Sequence, residues 1–166
     1  MIKKELIQIA KILNQAKIAY ALVGGLAVST WVEPRSTKDI DLIVADIENK
    51  QMIDKLEEIG FTLSGAPMQI GRIKFKRISK LFINDELLLL DLMQFLDDNF
   101  NQAILNGASK IKFEDIEIKV ASPEDVIILK SFSERKIDKI DIENMSNLKD
   151  LDKVYIEAWQ KKLSKN

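Results

Sequence analysis

The segment from Ala19 to Val44 limits the possible folds more than any other part of the chain. AYALVGG reads as a short buried strand ending in paired glycines, Gly24 and Gly25. LAVSTWV suits a short helix, which Glu33-Pro34 stops. Ile40, Leu42 and Val44 then alternate with Asp39 and Asp41, the pattern of a second strand. Only thirteen residues lie between the glycine pair and Asp39, so the two strands can be sheet neighbours. Asp39 and Asp41 sit two apart on that strand and therefore share one face. Carboxylates held so close repel unless a cation lies between them. A bare Asp-x-Asp more often caps a turn or decorates a solvated strand. Here the glycines bring free backbone N–H groups and a helix N-terminus close by, which suits a phosphate.

Composition narrows the chemistry. The 166 residues include neither cysteine nor histidine, which removes disulfides, thiolate nucleophiles, zinc ribbons, imidazole bases and histidine triads. Carboxylate, lysine, hydroxyl and metal chemistry remain, and a site built from Asp and Glu favours hard cations such as Mg²⁺ or Mn²⁺. Lys+Arg 25 against Asp+Glu 26 leaves a net charge of -1 and no overall basic field. The basic residues are nearly all lysine, with arginine only at 35, 72, 77 and 135. No targeting segment and no stretch of about 20 apolar residues is visible, so a cytoplasmic protein without a membrane span is expected.

The rest of the chain reads as one domain over 1–166, with a core at about 18–121 and a helical C-terminal segment from about 122. Ile2, Leu6, Ile9, Ile12 and Leu13 mark an opening helix. Residues 49 to 59 look helical, closing at Gly60. Strand texture follows from Phe61 to Met93, where GRIKFKRI and KLFI lead through a turn at Asn84-Asp85 into ELLLLDLM. A helix is expected around 97 to 106, then a hairpin turning near Glu114-Asp115. Ser122 as N-cap with Pro123 behind it announces the helical end. The fold class is α+β, a mixed sheet flanked by helices. Asp91 stands out because it interrupts a strand of four consecutive leucines.

These residues resemble a known family. Val23, Gly24, Gly25, Arg35, Thr37, Asp39 and Asp41 match the active-site signature of the polymerase-β-type nucleotidyltransferase superfamily, and Asp91 fits its third carboxylate. The tail SPEDVIILKSFSERKIDKID, with Lys130, Arg135, Asp138 and Asp141, is similar to small bacterial and archaeal minimal nucleotidyltransferases and toxins of abortive-infection type. The resemblance implies Mg²⁺-dependent transfer of an NMP from an NTP to an acceptor, which is a tRNA, a protein or a small molecule. It implies Asp39, Asp41 and Asp91 as catalytic and metal-holding, and Gly24, Gly25, Arg35, Thr37 and Lys130 as nucleotide-binding. A cognate antitoxin is an implied partner. The alternative is a nucleotide-binding or protein-interaction module that keeps the fold without turnover.

Other charged and aromatic features have plainer readings. Lys74, Lys76, Arg77 and Lys80 form a basic cluster on expected strands, either a path for RNA or another polyanion or, more simply, a solvated strand face. Arg135 and Asp138 form an i,i+3 pair that a solvated helix face explains. Trp31, Tyr155 and Trp159 are expected to pack in the interior.

Overall fold

The opening helix, α1 (Ile2–Gln15), forms because its apolar residues recur at three and four; Leu6, Ile9, Ala10 and Leu13 are buried on one stripe. The computed structural model describes residues 2–63 and 65–165. Met1, Ser64 and Asn166 of the expected domain lie outside the described residues. After α1 come β1 (Tyr20–Val23), α2 (Gly24–Trp31), β2 (Asp39–Val44) and α3 (Lys50–Glu58), the last capped by Asn49. Then follow β3 (Thr62–Leu63), β4 (Met68–Ile70), β5 (Ile73–Leu81), β6 (Leu87–Phe95) and α4 (Asp98–Gly107). The hairpin β7 (Ser109–Phe113) and β8 (Ile116–Val120) leads to α5 (Pro123–Ser131), α6 (Lys136–Met145) and α7 (Lys153–Ser164). The Ser122 side chain accepts from the N–H of Asp125, as the cap requires.

The strands form one mixed sheet in the order β3-β5-β6-β2-β1-β8-β7, with β4 also on β5. Period-two alternation sorts its two faces. Even-numbered Ile40, Leu42, Leu88, Leu90 and Leu92 are buried, and Leu22 lies directly opposite Leu42. That face is tied to α1 by a 2.8 Å bond from Lys80 to the buried Glu5, with the Lys80 ammonium 5.8 Å from the Phe61 ring centre and 5.5 Å from that of Phe82. The basic cluster expected on one solvated strand face is therefore divided. Lys80 serves the even face, while Arg77 stands on the odd one, opposite Asp91.

The odd face holds Asp39, Asp41 and Asp91. Antiparallel β1–β2 and parallel β2–β6 set Val23 beside Asp41 and Asp41 beside Asp91, and the β5–β6 hairpin adds Arg77. One row across four strands is thus Val23, Asp41, Asp91, Arg77. The C-terminal helices dock as the aromatic residues foretell. The Tyr155 hydroxyl donates to Asp125 at 2.8 Å, the Trp159 ring lies 5.0 Å from Phe100, and Trp31 donates to the carbonyl of Ala121. Among the described residues no helix is long and apolar enough to cross a membrane.

Candidate active site

The odd face of the sheet forms the floor of a cleft of about 620 Å³. Its floor holds three carboxylates, one oxygen of each lying within 4.8 Å of the others. Asp39 and Asp41 meet because they share a face of β2, and Asp91 joins them as the register partner of Asp41 on β6. The Thr37 hydroxyl donates to Asp39 at 2.8 Å and fixes that carboxylate's orientation. Burial, then the charges of Asp39 and Asp91, push the Asp41 carboxyl up to about 7 from its ordinary 3.8. Three oxygen donors so close match the preference of a small hard divalent cation, so the residues present fit a metal of that class.

The glycine pair is built against this cluster. Gly24, the first residue of α2 directly after β1, has φ +65, a conformation that side-chain-bearing residues rarely adopt, and a Cβ there would collide with the Asp41 carboxylate. Gly25 follows in the first turn of α2, where a Cβ would meet Thr37 and Arg35 at 3.0 and 3.1 Å. The backbone thus passes against the carboxylates with no room for a side chain, leaving the first N–H groups of α2 beside them. Gly24→Ala is expected to cost about 1–2 kcal/mol of stability from the backbone alone and to push Asp41 out of the cluster. Chemical denaturation, with cation titration on the same variant, measures both effects.

The remaining expected residues lie on the wall. Arg35 donates from Nε and Nη2 to the two oxygens of Asp141 at 3.0 and 2.9 Å. The Lys130 ammonium lies between Asp138 and Asp141. Arg135 donates to Asp138 at 2.7 Å, as does the Ser133 hydroxyl at 2.6 Å. Asp138 and Asp141 are each only 1% exposed, so the solvated helix face expected for the pair holds for Arg135 alone, while Asp138 belongs to a buried ionic network. Burial raises the Asp138 pKa, but hydrogen bonds from Lys130, Ser133 and Arg135 outweigh it and hold the carboxyl below its usual range. The network ties the loop carrying Arg35 and Thr37 to α5 and α6.

Sequence reasoning missed Arg77. Its guanidinium grips Asp91 with two bonds of 2.7 Å, and that hydrogen bonding raises its own pKa. A usable signal was present: in a hairpin centred on Asn84, residues 77 and 91 are equidistant from the turn and must pair.

The family profile described as "Nucleotidyl transferase of unknown function (DUF2204)" matches residues 2–165. This chain belongs to that nucleotidyl transferase family. No curated protein matches it by sequence. Solved structures share the fold. ANT(2″)-Ia in complex with adenylyl-2″-tobramycin has TM-score 0.67 at 14% identity, over 98% of this chain and 97% of that one. Lincomycin-bound LnuA, a lincosamide antibiotic adenylyltransferase, has TM-score 0.56 at 21% identity, over 88% and 97%. An antigenic nucleotidyltransferase-like protein of Paracoccidioides brasiliensis has TM-score 0.57 at 20% identity, over 86% and 74%. This member of the DUF2204 nucleotidyl transferase family thus has the same fold, with its acidic cluster on the odd face of the sheet.

Proposed function

We propose that this DUF2204 nucleotidyl transferase moves an NMP from an NTP to an acceptor hydroxyl in a reaction dependent on Mg²⁺ or Mn²⁺. The observation that carries this reading is the convergence of Asp39, Asp41 and Asp91 beside the Gly24–Gly25 turn. Asp39, Asp41 and Asp91 would hold the metal, which would supply Lewis-acid activation of the attacking oxygen and positive charge for the departing pyrophosphate. Gly24 and Gly25 offer backbone N–H groups to the triphosphate, and Thr37 keeps Asp39 oriented. Arg35 and Lys130 contribute positive potential from the wall. The acceptor oxygen forms a bond to the α-phosphorus, the bond to pyrophosphate breaks, and Asp91 takes the hydroxyl proton.

Calorimetric titration of each NTP, with and without Mg²⁺, tests this. Mg²⁺-dependent binding of at least one NTP is expected; no binding of any at millimolar concentration removes the reading. Binding without turnover is the second reading, supported by Arg77 holding both oxygens of Asp91. Incorporation of α-labelled NTP into a tRNA, protein or small-molecule acceptor separates the two. A toxin-like role with a cognate antitoxin predicts growth arrest on expression that co-expression of the neighbouring gene relieves.

Asp41 also predicts a pH dependence. Between 3.8 and about 7 the folded chain holds a proton on this carboxyl that the unfolded chain has lost. Metal-free stability therefore falls as pH rises through that window and levels off above it. A cation needs the deprotonated carboxylate, so its affinity rises across the same window. The increase in Tm on adding Mg²⁺ is expected to be larger above pH 7 than near pH 5, as differential scanning fluorimetry can measure.

A further inference from the structure

The arginines of this chain are not scattered. Arg35, Arg72, Arg77 and Arg135 are all it has, and all of them line the one cleft, joined there by a single lysine, Lys130. Arginine's planar fork is the side chain best matched to phosphate and carboxylate. Two of the four are committed to carboxylates by paired bonds, Arg35 to Asp141 and Arg77 to Asp91. The other two stand differently. Arg72, beside the Gly71 turn between β4 and β5, has its guanidinium 5.5 Å from the ring centre of Phe132, and no carboxylate is paired with it among the described residues. Stacking on a ring leaves a guanidinium's N–H groups directed outward in its own plane. Arg135, three residues beyond Phe132, binds Asp138 through Nε while its side chain stays 75% exposed. The acidic group nearest in sequence, Glu134, also lines the cleft, and its carboxylate is partnered by Lys139 at 3.6 Å.

We propose that Arg72, held on Phe132, and Arg135 form an anion subsite at the mouth of the cleft that takes a phosphate group of the acceptor. Arg72 directly precedes β5, the strand that sets Arg77 beside Asp91, and its carbonyl accepts from the N–H of Leu96 just past β6, so it lies on the Asp91 side of the acidic cluster, that of the acceptor hydroxyl, rather than on the Gly24–Gly25 side. A phosphate-bearing acceptor is favoured there and a polyamine is repelled. This rests on the nucleotidyl-transfer reading above, which the Mg²⁺–NTP titration tests independently.

The test measures binding of three probes to the full chain, loaded with Mg²⁺ and a non-hydrolysable ATP analogue: ribose 5-phosphate, short single-stranded RNA, and ribose. Binding of either phosphate-bearing probe well above ribose is expected. RNA much tighter than ribose 5-phosphate identifies a nucleic-acid acceptor; comparable affinities identify a small phosphorylated one. R72Q is expected to weaken the phosphate probes roughly tenfold, and in the RNA arm to lower the salt slope by about 0.7. The proposal is overturned if neither phosphate probe binds, if ribose binds equally well, or if R72Q binds the probes like the wild type. An equal loss of affinity for the ATP analogue in R72Q places the arginine on the nucleotide and also overturns it. Failure of the analogue itself to bind the wild type is a failure of the underlying reading instead, and the probe titrations without analogue then decide the subsite alone.

Discussion

Asp41→Asn is expected to reduce NMP transfer by about a thousandfold or more, because a neutral amide holds a hard cation between Asp39 and Asp91 far less tightly than a carboxylate does. The same substitution is expected to make the metal-free protein more stable above pH 7. Asp41 is driven up to about 7 first by burial and then by two neighbouring carboxylates, so its charged form is unfavourable in the folded chain. Asparagine retains the shape and removes that charge. The pair of results is diagnostic: activity falls while Tm at pH 8 rises. A variant that loses both would mean that the amide disturbs the turn at Gly24, where the carboxylate lies in close contact. Radiolabel incorporation and thermal melts on one preparation supply both readings.

The second large effect is structural. Asp141→Ala is expected to destabilise the protein by about 3–5 kcal/mol, the range for removing one member of a buried ionic network. Asp141 is 1% exposed and faces two cations, Arg35 and Lys130. Without it, Lys130 keeps only Asp138, and Arg35 loses both of its side-chain bonds to α6. Chemical denaturation measures the loss. A cost below about 1 kcal/mol, typical of solvent-exposed pairs, would show that water screens this network.

Much of this was legible in the chain itself, and the reasons can be read from individual residues. The β2 strand declared its faces because Asp39 and Asp41 alternate with Ile40 and Leu42. Ser122-Pro123 fixed the start of α5, since a cap and a preset φ act locally. The helix after β1 begins at Gly24, not after the glycine pair, because the glycines themselves make its first turn. What stayed hidden depended on tertiary placement. Arg135 and Asp138 look like any surface i,i+3 pair until α6 is packed against α5 and Lys130 is brought between Asp138 and Asp141. Arg77 looked like one more strand cation because its partner lies across a hairpin, and only register arithmetic reveals it. The expected single solvated face failed for a local reason instead: Lys80 and Arg77 are three apart, an odd number, and a strand sends such residues to opposite faces.

The strand order carries a consequence for how the molecule is made. The row Val23, Asp41, Asp91, Arg77 draws only on β1, β2, β5 and β6, so the chain through Phe95 already contains every strand beneath the acidic cluster. The parallel seam between β1 and β8 needs Val120 to find Leu22 across nearly a hundred residues, a slow long-range closure. Lys130 of α5 and the carboxylates of α6 lie further along still. During synthesis the three repelling aspartates can therefore be gathered on a sheet before the ionic lock that steadies their loop has been translated, and a cation present at that stage would offset their repulsion and act as a folding aid.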